Sequence, residues 1–166
     1  MAKGWFAIGF FLVAGLMCSA EIKGIRPHPS RTDYSVTCFT EDIGVAATLL
    51  RPDQVRHLLG PEIDRNYVVV EVGFYSKHHS VFEVRHCDFA LREHKTRTAV
   101  KPADPKELSS TRAWSVQSII EKMLPQVPTS EAVAGYLYFP VVEPVYTFYE
   151  LDYTGYGAWL TLPLKP

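Results

Sequence analysis

The stretch that decides the architecture is Asn66–Lys77, Asn-Tyr-Val-Val-Val-Glu-Val-Gly-Phe-Tyr-Ser-Lys. In an extended chain successive side chains point to opposite faces. Val68, Val70, Val72 and Phe74 then share one face, and Tyr67, Val69, Glu71, Gly73 and Tyr75 share the other. The run is rich in β-branched and aromatic residues, which suit a pleated, half-buried surface. It reads as a long strand whose first set packs on a core and whose second set stays partly wet, the pattern of an antiparallel sheet.

The flanking sequence divides into pieces of similar length. Upstream, Tyr34–Phe39 alternates as a strand, Val45–Leu50 is ambiguous between strand and helix, and Arg51–Leu59 reads as a short helix. Pro52 suits the first helical position, Val55, Leu58 and Leu59 make one face, and Gly60-Pro61 ends the element. Downstream, Val81–Val84, Cys87–Arg92 and Thr96–Val100 read as strand pieces. Pro102 and Pro105 then open a break before a helix over Ser109–Leu124, with Val116, Ile119, Ile120 and Met123 on the face that packs on the sheet. Gly135–Pro140, Tyr146–Tyr153 and Ala158–Leu162 complete the chain as strands, after a loop over Gln126–Ala134. Strands outnumber helices at sandwich-like spacing. The expected fold is therefore mainly β: an immunoglobulin-like antiparallel β-sandwich with one or two short inserted helices.

The first twenty residues carry a different message. Lys3 precedes an uncharged apolar run from Trp5 to Met17, followed by Cys18, Ser19 and Ala20. That is the layout of a secretory signal peptide, and the run is short for a span of a bilayer core about 30 Å thick. Cleavage is expected near Ala20, leaving an exposed, flexible arm over residues 21–33 and a single domain over 34–166. The product would be periplasmic, envelope-associated or secreted. A lipid anchor on Cys18 is the lesser alternative, because Met17 is bulky and Gly15 stands where a lipoprotein signal usually has leucine. Membrane contact is expected only in that case.

Composition narrows the partners. The 166-residue chain has a formal net charge of −1 and no long run of like charge. Binding to nucleic acid relies on clustered Lys and Arg, so nucleic acid is not expected as a partner. Outside the leader two cysteines remain, Cys38 and Cys87, a candidate disulfide in an oxidising compartment. Closing a loop of about 50 residues would contribute about 4 kcal/mol in the chain-entropy picture. The alternative is two unpaired thiols that pack as small apolar groups.

The stretches Asn66–Lys77, Cys87–Arg92 (Cys-Asp-Phe-Ala-Leu-Arg) and Ala134–Phe139 (Ala-Gly-Tyr-Leu-Tyr-Phe), with the terminal Tyr146–Leu162 hairpin, come in a telling order. Their order resembles that of the telokin-like, immunoglobulin-like domains of exported bacterial proteins. The resemblance covers roughly residues 34–164. It implies a sandwich and an extracytoplasmic address, and it supplies no activity. The Val45–Gly60 segment and the helix after Pro105 depart from the simple pattern.

His78, His79, His86 and His94 lie near Cys87 and Asp88, but no His-x-x-x-His or paired Cys-x-x-Cys spacing is present, so no metal is expected. No Gly-x-Ser-x-Gly elbow or phosphate loop occurs, and neither catalytic residues nor a cofactor are expected. The aromatic cluster of the C-terminal strands is more suggestive. If the Leu-bearing faces point inward, Tyr136, Tyr138, Tyr146 and Phe148 line an outer surface suited to a partner or a sugar. The expected role is a non-catalytic extracytoplasmic binding or assembly module whose partner is another envelope or extracellular protein. A carbohydrate-binding module on those four rings is the alternative, and an envelope enzyme is a distant third.

Overall fold

A computed structural model describes residues 21–109, 116–141 and 148–165. Residues 1–20 with Cys18, residues 110–115 in the first half of the helix expected over Ser109–Leu124, and Tyr146 lie outside the described residues.

The fold is a mainly antiparallel β-sandwich. The first sheet is built from β1 (Val36–Phe39), β2 (Ile43–Leu49), β3 (Tyr67–Ser76) and β8 (Val133–Pro140), in the order β1-β2-β3-β8. The second contains β5 (Phe89–Glu93), β6 (Ala99–Val100), β9 (Tyr149–Tyr153) and β10 (Leu160–Leu164), in the order β10-β9-β5-β6. A small pair, β4 (Phe82–Glu83) with β7 (Pro128–Thr129), lies beside them. The Val45–Leu50 segment, ambiguous by pattern, resolves as β2 because Val45 and Ala47 pair with Phe74 and Val72 of β3.

The long strand β3 occupies an interior position, and its register explains the core. Val70 pairs with Leu137 and Val72 with Gly135 of β8, while Leu49 pairs with Val70 from the other side. The set Val70, Val72 and Phe74 points into the space between the sheets with Ile43, Val45, Leu137, Phe139, Leu151 and Leu162. Phe74 stacks on Phe82 and meets Phe89 and Tyr153 edge-on, with ring centroids 5.4–5.8 Å apart. Packing of this kind is worth about 2 kcal/mol for each fully buried large apolar side chain.

The opposite face of β3 and β8 departs from expectation. It is covered rather than wet. Four short helices form a third layer: α1 (Pro52–Leu59), α2 (Pro61–Asn66), α3 (Pro105–Ser109) and α4 (Val116–Glu121). Val55, Leu59, Ile63, Leu108, Ile119, Ile120 and Met123 pack there on Val69, Tyr136 and Tyr138. The stripe of residues 116–123 thus packs on the sheet, as its spacing indicated. The helix starting at Pro61 was not foreseen: Gly60 at φ 99° lets the chain turn out of α1, and Pro61 opens a second helix at once.

The N-terminal segment belongs to the same layer. Residues 21–33, expected as an exposed arm, include no buried residue and are joined to that layer by backbone hydrogen bonds. The Lys23 and Gly24 amides donate to the Glu121 carbonyl, and the Ile25 amide donates to the Ala134 carbonyl at 2.9 Å. After α4, the chain runs so close to β8 that a Cβ on Gly135 would lie 2.3 Å from the Leu124 Cα. Glycine at 135 is what permits this approach.

Candidate functional site

Three regions carry side chains that the packing of the core does not use up. The first is one end of the sandwich. β1 and β3 end there, since Ile43 after the β1–β2 turn pairs with Ser76. The end of β9 lies there too, because Tyr153 packs on Phe74. The turns of that end expose Phe39, Val81, Tyr156 and Trp159, with Trp159 the most open at 74 %. Trp159 is two residues before Thr161, whose carbonyl is 3.8 Å from the Cys38 sulfur, next to Phe39.

These turns are held in place by specific contacts. Tyr156 sits at φ 54°, the left-handed region that a bulky residue rarely adopts. Its hydroxyl donates to the Val81 carbonyl at 3.0 Å, linking the β9–β10 turn to the segment after β3. The Thr154 amide donates to the Asp88 carbonyl, and Arg85 grips the Asp88 carboxylate through Nε and Nη2, both at 3.1 Å. The Arg31 guanidinium lies 4.3 Å from the Phe39 ring centroid, with Lys77 Nζ at 5.6 Å. The result is an ordered apolar tip with cations beside one ring.

The second region is a cleft of about 290 Å3 at the other end of the sandwich. Leu50, Val55 and Val69 reach it from the helix-side core, and Leu49, Val68 and Tyr149 from the edge of the core between the sheets. Its polar rim is Arg51, Asp64, Arg65 and the Tyr67 phenol. Burial, helped by the nearby Glu107 carboxylate, pushes the Tyr67 hydroxyl above its ordinary pKa.

The third is a polar cluster where the N-terminal segment crosses β3. His28 Nε2 is 3.0 Å from Glu71 Oε1 on the helix-side face of β3. Burial holds the Glu71 carboxyl above its usual range, and His28 opposes that shift. The Tyr75 hydroxyl donates to the His28 carbonyl at 2.9 Å. The Tyr34 hydroxyl is buried over Gly73 with no hydrogen-bond partner, and its pKa is driven up mainly by burial. These groups pin residues 28–34 to the sheet. His28 edges onto Tyr34 at 4.8 Å between centroids, which leaves no room for a substrate between them.

The residues singled out from sequence are scattered by the fold. Tyr136 and Tyr138 do point away from the inter-sheet core, but Tyr136 is 7 % exposed and Tyr138 fully buried beneath the helices. Tyr138 donates its hydroxyl to the Ile119 carbonyl at 3.2 Å, and burial raises its pKa. These two rings therefore form no outer surface, a correction that follows from the helical layer. Phe148 is half exposed beside Tyr149, away from them, and Tyr146 lies outside the described residues.

Cys38 and Cys87 are free thiols rather than a bridge. Cys38, on β1, faces the Thr161 carbonyl, whereas Cys87 is exposed in the turn before β5 with its sulfur 3.8 Å from Asp88 Oδ1. His86 is separated from the other histidines by burial. Its Nε2–H donates to the Leu124 carbonyl at 2.6 Å, and desolvation lowers its pKa. Among the described residues no group of three or more His, Cys, Asp or Glu could hold a metal ion. None of the described helices is long and apolar enough to cross a membrane. The sequence pattern does not single out Phe39 and Val81, and it places Trp159 and Tyr156 only within the C-terminal aromatic cluster. Their signal was position, next to the turn residues Thr40-Glu41-Asp42, Lys77–Ser80 and Gly155-Tyr156-Gly157.

No family model matches the chain, and no curated protein matches it significantly in sequence. Among solved structures it is similar to a "putative lipoprotein" of Bacillus subtilis, with a TM-score of 0.48 and 18% identity. That alignment covers 78% of this chain and 38% of the other, so the chain spans well under half the length of that protein.

Proposed function

We propose that this protein is an extracytoplasmic, non-catalytic binding or assembly module of telokin-like, immunoglobulin-like type, and that it engages another envelope or extracellular protein through the turn end of the sandwich. The observation that carries the reading is the group Phe39, Val81, Tyr156 and Trp159, all exposed at one end and fixed there by the Tyr156–Val81 hydrogen bond. Exposed aromatic side chains on a rigid frame suit a protein interface, because they offer apolar area at a small entropic cost. The leader supports the address: an apolar run of signal-peptide length after Lys3. An enzymatic role has less support, since the Glu71 carboxylate is taken up by His28 and the Tyr75 hydroxyl by the His28 carbonyl. The carbohydrate reading loses its ground with the burial of Tyr136 and Tyr138.

The test is crosslinking and affinity capture from the native envelope with the intact chain and with Trp159→Ala and Tyr156→Ala. A specific protein captured by the intact chain and lost with Trp159→Ala supports the reading. Capture that both variants leave unchanged overturns the assignment of this surface. An N-terminus still at Met1 in a cytosolic fraction overturns the address.

A further inference from the structure

We propose that the cleft between α1–α2 and the ends of β2, β3 and β9 is a binding site for a single-chain amphiphile with an anionic head and a medium-length apolar tail. This site is at the opposite end of the sandwich from Trp159 and does not depend on the protein partner proposed above.

The walls determine the tail. Leu50, Val55 and Val69 line the helix side, and Val68 and Tyr149 the side of the second sheet, so an apolar chain entering here touches both cores. About 290 Å3 is near the lower end of the range for small-molecule pockets, roughly 300–1,000 Å3. One short chain suits that space better than a bulky ring system.

The rim determines the head. Asp64, the acid of the rim, is already bound to Arg56 at 2.9 Å. Arg51 reaches Asp53 only at 3.4 Å, with both side chains more than 60 % exposed, a geometry that contributes little. The exposed Arg65 side chain has no hydrogen-bond or ion-pair partner among the described residues. The mouth of the apolar cleft thus presents the Arg65 guanidinium, with Arg51 held only loosely by Asp53 and the Glu107 carboxylate near the Tyr67 phenol, and guanidinium pairs well with carboxylate or phosphate.

Decanoate titrated into the full chain, followed by calorimetry and by backbone amide shifts, tests this. Saturable binding is expected, with the largest shifts at Leu50, Tyr67 and Val69. Decyltrimethylammonium, with the same tail and the opposite charge, should bind about tenfold more weakly or worse. Octanoate should bind about tenfold more weakly than decanoate, since each buried methylene is worth a factor of roughly three to four. Arg65→Glu is a surface change expected to leave the fold intact and to reverse the preference between the anion and the cation. Decyl phosphate serves to separate a phospholipid-derived head from a free fatty acid, and tighter binding of either anion over the cation supports the site. Equal binding of anion and cation, no effect of Arg65→Glu, shifts confined to other regions, or no saturation at millimolar decanoate would each overturn it.

Discussion

The two faces of the first sheet are made by the same strands and follow different physics. The face toward the second sheet is uniformly apolar, with Val70, Val72, Phe74, Leu137 and Phe139 in contact with aliphatic and aromatic partners. The face toward the helices mixes Val69 with Glu71, Tyr136 and Tyr138, and needs Gly73 where the segment bearing Tyr34 crosses the strand. One face is a matter of volume. The other depends on close approaches and individual hydrogen bonds, so equal burial does not mean equal sensitivity to the same kind of change.

Substitutions sharpen that contrast. Leu137→Ala, on the inner face, is expected to give the largest loss, about 2–5 kcal/mol by chemical denaturation, because it removes fully buried methylenes and leaves a cavity. Gly73→Ala adds one methyl on the other face and should cost about 1–3 kcal/mol, since the Tyr34 ring that lies over Gly73 must move to admit it. A smaller loss would show that the crossing segment is easily displaced, and the contrast between the faces would weaken. Tyr138→Phe retains the ring and removes the hydroxyl that bonds to the Ile119 carbonyl. Its expected effect is about 1 kcal/mol, with the Ile119 carbonyl left unpaired by that group.

The helix-side face alone should respond to pH through Glu71. Its carboxyl pKa is raised in the fold, so the native state holds that proton more tightly than the unfolded chain does. The associated stability is complete below the ordinary carboxyl pKa of 4.5 and is lost as pH rises through the raised folded value. Stability measured across that window should fall with rising pH from this group, and Glu71→Gln should remove that component. An unchanged pH profile in the variant would show that His28 compensates the buried carboxylate fully. His86 works in the opposite sense. Its pKa is lowered by burial, so its contribution is lost on acidification below about 6.5.

Much of the sandwich was legible because its causes are local. The alternation of Val68–Phe74 and of Gly135–Pro140 placed the correct residues toward the inter-sheet core, and Pro52 with Gly60 bracketed α1. Pairing resolved what pattern left open, since Val45–Leu50 has no period of its own to distinguish a strand from a helix. The candidate sites were less legible. Tyr136 and Tyr138 alternate as surface residues do, and the helical segments that bury them, the nearest at Met123, are distant in sequence. Trp159 and Val81 become neighbours of one surface only when the turns of separate hairpins meet.

The sequence by itself determined the strand-rich class, the inward face of the first sheet, the helix at Pro52 and the leader-like run that ends at Ala20. These follow from periodicity, from the fixed φ of proline and from the uninterrupted apolar character of Trp5–Met17, all of which act within a few residues. Only the tertiary structure decided that the second face of the sheet is closed by helices, that the two thiols stand apart, and where cleft and exposed tip form. Those outcomes depend on which distant segments pack together, and solvent exposure is a property of that assembly rather than of any residue's place in a pattern.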